Sequence, residues 1–105
     1  MTEAQYQKKV VRKLKDLFPD CVVIKNDPSY QQGIPDWTIL WGSCWAMLEI
    51  KKSPTARRQP NQGYYVEQLN EMSFAAFICP ENEEAVLNEL QAAFASCGRT
   101  CVSQS

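Results

Sequence analysis

The stretch "GIPDWTILWGSCWAMLEIKK", residues 33 to 52, decides how this chain folds. Two short apolar runs flank Gly42-Ser43, and glycine at the first central position suits a two-residue type II′ hairpin turn. That turn pairs Trp41 with Cys44. Counting outward, Thr38 meets Met47, Trp37 meets Leu48, and Asp36 meets Glu49. A four-residue loop centred on the same bond keeps this register, whereas a three-residue loop slips it by one and places the two acids on opposite faces.

In the favoured register the two carboxylates have Cβ atoms about 4.5–5.5 Å apart. Like charges directly opposite repel, and a hydrophobic sheet screens them poorly. Either one acid keeps a proton or a divalent cation lies between them. Lys51 points to the same face as Glu49, because strand side chains alternate with period two. A lone Glu-x-Lys is common on solvent-facing strands. Here Trp37, Ile39, Leu40, Trp41 and Trp45 make the hairpin apolar on both sides, so the second strand is expected to be central and covered. Three charged side chains converging there are costly without a purpose.

Further out, "TEAQYQKKVVRKLKDLF" (2–18) reads as an amphipathic helix. Thr2 and Gln5 fit a capping box, with Tyr6, Val10, Leu14, Leu17 and Phe18 on the apolar stripe. "CVVIKN" reads as a strand and "DPSYQQG" as a loop. After a polar loop, a helix is expected from about Pro60 to Met72 with Val66, Leu69 and Met72 inward. "FAAFIC" is a short buried strand, and "ENEEAVLNELQAAFAS" a helix stopped near Gly98. The expected order is α-β-β-β-α-β plus a C-terminal helix. It forms one domain with a core over about residues 2–96 and a frayed tail over 99–105.

The 105 residues contain no histidine. That excludes serine-histidine triads, cysteine-histidine dyads, helical histidine zinc sites and histidine-based nucleases. Hydrolysis would have to run on carboxylates, lysine and a hard metal ion. No run approaches the roughly 18 apolar residues of a membrane span, and no apolar signal core follows Met1. Five cysteines without paired spacing read as free thiols in a reducing, cytoplasmic setting. The charge is split: residues 1–58 carry +4 and residues 59–105 carry −5. A cationic half suits a polyanion partner; the acidic half suits an exposed C-terminal helix.

Pro35-Asp36 followed by Glu49-Ile50-Lys51, in this order of elements, resembles the PD-(D/E)xK nuclease superfamily. "GIPDWTIL", "LEIKK" and "RRQPNQGYYVEQL" are most similar to the virus-type replication-repair nuclease group (VRR-NUC), itself similar to Holliday-junction resolvases. The resemblance covers residue 3 to about 79. It implies an α/β restriction-endonuclease-like core with a mixed central sheet. It also implies that Asp36 and Glu49, helped by the Ile50 carbonyl, bind Mg²⁺ or Mn²⁺ while Lys51 serves the attacking water and the phosphate. Family members often add an acid from the first helix. Glu3 is the candidate, or else it merely favours the helix dipole. Gln62 would contact the scissile phosphate or face solvent.

The expected activity is metal-dependent endonucleolytic cleavage of DNA, selective for branched structure. It would act in phage replication, recombination or repair, within the host cytoplasm. Lys25, Lys52, Arg57 and Arg58 are the expected DNA contacts. The cations of the first helix fit a solvated face equally well. Three tryptophans in one hairpin suggest leftover apolar surface and a homodimer. Neither a membrane nor a nucleotide cofactor is expected. The rivals are a DNA-binding module without catalysis and a small interaction protein.

Overall fold

A computed structural model describes residues 1–27 and 29–104, with residues 98–104 described by backbone alone. Pro28, in the expected "DPSYQQG" loop, and Ser105, in the expected tail, lie outside the described residues. The elements are α1 (Glu3–Leu17), β1 (Val22–Lys25), β2 (Trp37–Trp41), β3 (Cys44–Ile50), α2 (Gln62–Met72), β4 (Phe74–Ile78) and α3 (Glu83–Gln104). The described residues form a small α/β unit with three helices and a four-stranded mixed sheet ordered β1-β2-β3-β4. β1, β2 and β3 are antiparallel neighbours, and β4 joins β3 in parallel after the α2 crossover. No helix among the described residues is long and apolar enough to cross a membrane.

The hairpin has the register its turn dictates: Trp37 opposite Leu48, Thr38 opposite Met47 and Trp41 opposite Cys44. Gly42 has φ +62° while Ser43 stays outside positive φ, as a type II′ turn requires. Cys44, Ala46, Leu48 and Ile50 therefore face one way, joined by Ile39 of β2. They form one core with Tyr6, Val10 and Leu14 of α1 and with Val86, Leu90 and Phe94 of α3. The capping box at Thr2 and Gln5 starts α1 as expected.

Four expectations need correction. The first concerns the tryptophans. Trp41 stacks on Phe94, lies against Phe18 and donates its indole N–H to the Pro19 carbonyl. Trp37 also packs against the core. Trp45 alone of the three lies on the opposite face, half-buried across from Leu40, beside the exposed apolar surface of Val22, Ile24 and Leu40. Second, α2 begins at Gln62 and not at Pro60, because Asn61 takes a left-handed backbone at φ +69° that no helix can include. Met72 is 65% exposed. Steps of three residues drift about 60° apiece around a helix of 3.6 residues per turn, so Met72 lies far from Val66.

Third, α3 runs through Gly98 to Gln104, where a helix stop near Gly98 was expected. A glycine within a helix costs only about 1 kcal/mol, and no proline follows to enforce an end. Fourth, Cys44 and Cys97 form a disulfide although they lie 53 residues apart. The packing of α3 over the start of β3 brings their Cα atoms to 6.0 Å, inside bonding range. Sequence spacing alone could not reveal that approach. Cys21 and Cys79 are free thiols.

Candidate active site

Asp36 stands at the mouth of β2 and Glu49 near the end of β3, one step beyond the paired residues Trp37 and Leu48. The Asp36 backbone N–H donates to Glu49 Oε1 at 3.0 Å. Glu49 Oε2 lies 3.3 Å from Lys51 Nζ. Period-two alternation puts Glu49 and Lys51 on one face, as the register argument requires, while Ile50 between them is fully buried in the core. Glu49 is only 1% exposed. Burial raises its carboxyl above the usual glutamate range, and the neighbouring Asp36 charge raises it further. Lys51 and the Asp36 N–H oppose that shift without cancelling it.

The entry to β2 is fixed by Asn26. Its backbone N–H donates to the Asp36 carbonyl, its side-chain amide donates to the Pro35 carbonyl, and its Oδ1 accepts from Thr38 Oγ1. Gly33, at φ +95°, lets the preceding loop press against the start of α2. A Cβ there would lie 2.8 Å from both the Asn61 Cβ and the Pro60 carbonyl oxygen. The strand bearing Lys51 is held from the other side, where the Lys51 N–H donates to the Ile78 carbonyl of β4.

A cleft of about 490 Å³ gathers Glu3, Asp36, Glu49, Lys51 and Gln62. Glu3 Oε1 accepts from the Lys52 backbone N–H at 3.2 Å, so the first-helix acid reaches the cleft and also ties α1 to the end of β3. Gln62 does not face solvent. It is 2% exposed, and its Oε1 accepts from the Gln59 N–H at 2.9 Å. Arg58 lays its guanidinium over the Phe77 ring at 3.7 Å and shares a neighbouring hollow with Lys51. Phe77 pairs with Glu49 across β3 and β4, which brings that cation close to the acids. Arg57 is exposed on the same loop. Lys25 lies elsewhere, over Trp37 at 5.1 Å in a different hollow.

No protein-family model, curated protein or solved structure matches this chain.

Sequence reasoning missed Asn26, Ser29, Gln32 and Gln59, three of which line the cleft. Ser29, Gln32 and Gln59 were signalled only by the polar composition of two loops, and Asn26 by its place at the end of the "CVVIKN" strand run. Among the described residues, no three aspartate, glutamate or cysteine side chains form a group that could hold a metal ion. The two carboxylates that do converge are hard oxygen donors. One or two carboxylates plus retained waters is the donor set that Mg²⁺ commonly uses. Beside the two carboxylates, the Lys51 ammonium is poised to hold charge on an incoming group.

Proposed function

We propose that the protein is a divalent-metal-dependent endodeoxyribonuclease on a restriction-endonuclease-like core, hydrolysing phosphodiester bonds in branched DNA. The observation that carries this reading is the meeting of Asp36, Glu49 and Lys51 at one cleft, with Glu49 buried and its carboxyl raised by burial and its acidic neighbour. Two ionised carboxylates there are costly unless a cation offsets them. Mg²⁺, with Mn²⁺ as substitute, would be held by Asp36 and Glu49, with the Ile50 carbonyl and retained waters as further donors, while Glu3 stays with the Lys52 N–H at the cleft edge. When bound, the ion supplies Lewis-acid polarisation of the phosphate and a more acidic water.

The chain's own groups do the remaining work. Lys51, steadied by Glu49, orients the attacking water and holds charge on a phosphate oxygen. Gln62 has its oxygen engaged by Gln59, so its amide N–H₂ is the end that donates to the phosphate. Lys52, Arg57 and Arg58 would meet flanking phosphates, with Arg58 braced by Phe77. The exposed patch of Val22, Ile24 and Leu40 is the surface on which a homodimer would form, aligning two sites for a symmetric junction. A phage origin and a host-cytoplasmic setting belong to the same reading.

A second reading, a DNA-binding module without catalysis, is favoured by one observation: no third acid completes a metal group among the described residues. Labelled four-way, flap, nicked and linear DNAs, incubated with Mg²⁺, Mn²⁺ or chelator, separate the two. Metal-dependent cleavage of branched DNA that falls at least a hundredfold in Glu49→Gln and Lys51→Ala supports the enzyme. Binding of the same DNAs with no cleavage in either metal supports the module.

A further inference from the structure

A second hollow, of about 610 Å³, lies beside α1 on the opposite side of the Asp36–Trp37 backbone. Consecutive strand residues face opposite ways, so Asp36 lines the acidic cleft and Trp37 lines this one. Glu3 and Gln7 stand one helical turn apart and divide between the two hollows in the same way. Ala4, Val11 and Trp37 supply its apolar lining. Lys8, Arg12 and Lys15 follow at steps of four and three residues along one stripe of α1, and Lys25 faces them from the end of β1. Asp16 is the carboxylate among the lining residues. The Lys25 ammonium sits over the Trp37 ring, which holds that cation there.

A merely solvated helix face would present these cations on a convex surface. Here they border an open hollow that Trp37 also lines. Its volume falls within the range of about 300–1,000 Å³ typical of small-molecule sites. Duplex DNA offers phosphates to such a hollow, but its base faces are stacked and cannot reach the Trp37 ring. A nucleotide without a partner can. Groups that combine a π-face with an adjacent phosphate are what aromatic residues and cations bind in single strands.

We propose that this hollow seats an unpaired nucleotide, its base taking the place of the Lys25 ammonium over the Trp37 ring and its phosphates lying among Lys8, Arg12, Lys15 and the displaced Lys25. The inference deepens the nuclease reading, on which its biological sense rests. A strand crossing the first turn of α1 would connect the two hollows, so the hollow selects substrates with an unpaired arm beside the scissile bond. A free nucleotide shares the chemistry, and the test separates the two sources.

Binding is measured by anisotropy in chelator, where no cleavage occurs, with a labelled single strand, its duplex, an abasic strand of equal length and a mononucleotide. The expected result is tightest binding of the single strand and quenching of tryptophan emission. Arg12→Ser with Lys15→Ser should weaken that binding at least tenfold. Removing two phosphate contacts should also flatten the logarithmic salt dependence by about 1.4, at about 0.7 per contact. Preference for the mononucleotide over the strand would overturn the strand assignment. Single-strand affinity within twofold of wild type in the double variant would overturn the site, as would equal affinity for duplex or abasic strand. Single-strand binding that needs Arg12 and Lys15, in a protein that cuts no DNA with Mg²⁺ or Mn²⁺, would uphold the hollow and end the nuclease reading. Cleavage with an insensitive double variant would do the reverse.

Discussion

The backbone N–H of Asp36 donates to the carboxylate of Glu49 across the β2–β3 pair, so the strand that delivers one acid also anchors the other. The bond fixes one oxygen of Glu49 and leaves the second to Lys51 at 3.3 Å. A buried carboxylate is thus oriented from both ends, yet its ionisation is still opposed by burial and by its neighbour's charge.

Replacing Glu49 with glutamine should stabilise the fold while removing activity. Folding raises the Glu49 carboxyl above its unfolded value of about 4.3. Its contribution to stability is therefore complete below that pH and is lost as pH rises through the folded value. Urea denaturation should show Glu49→Gln gaining on wild type progressively as pH rises above about 4.3. A difference independent of pH would contradict the assignment.

Lys51→Ala should have the opposite consequence. It leaves Glu49 buried without its cation, and losing a charged partner of this kind costs about 1–3 kcal/mol. The loss should be largest at neutral pH and shrink as Glu49 takes up its proton. Denaturation midpoints at acidic and neutral pH provide the measurement.

The glycines separate two sources of strain. Gly42→Ala meets no neighbouring atom and suffers only from φ +62°, whereas Gly33→Ala also collides with Pro60 and Asn61. Gly42→Ala should cost about 1 kcal/mol and Gly33→Ala clearly more, since only the second must move the start of α2. Thermal melts of the two variants side by side test the ranking.

Oxidised protein should yield a peptide linking Cys44 to Cys97, detectable by mass spectrometry without reductant. Reduction, or Cys97→Ser, should lower stability by about 2–4 kcal/mol, as expected for a bridge closing a loop of this length.

The hairpin and its acid pair were legible because each local signal agreed: a turn glycine, strict alternation, and acids at matched distances from the turn. The features that escaped depend on distant packing. The burial of Gln62 follows from the approach of Gly33 to Asn61, which no short window of sequence contains. The Cys44–Cys97 bridge needs α3 to cross β3. Trp41 pointed to surplus apolar surface only while its partners Phe18 and Phe94 were unknown. Met72 illustrates a simpler limit, since apolar residues three apart drift off a helix face.

The cleft is assembled over very unequal lengths of chain. Asp36 and Glu49 are separated by 13 positions, but Glu3 meets Lys52 across 49. Closing the longer loop costs about 1 kcal/mol more in chain entropy. One exposed hydrogen bond at 3.2 Å does little to offset that. What keeps Glu3 in reach is remote from it: Tyr6, Val10 and Leu14, buried further along the same helix, hold the far end of the lever.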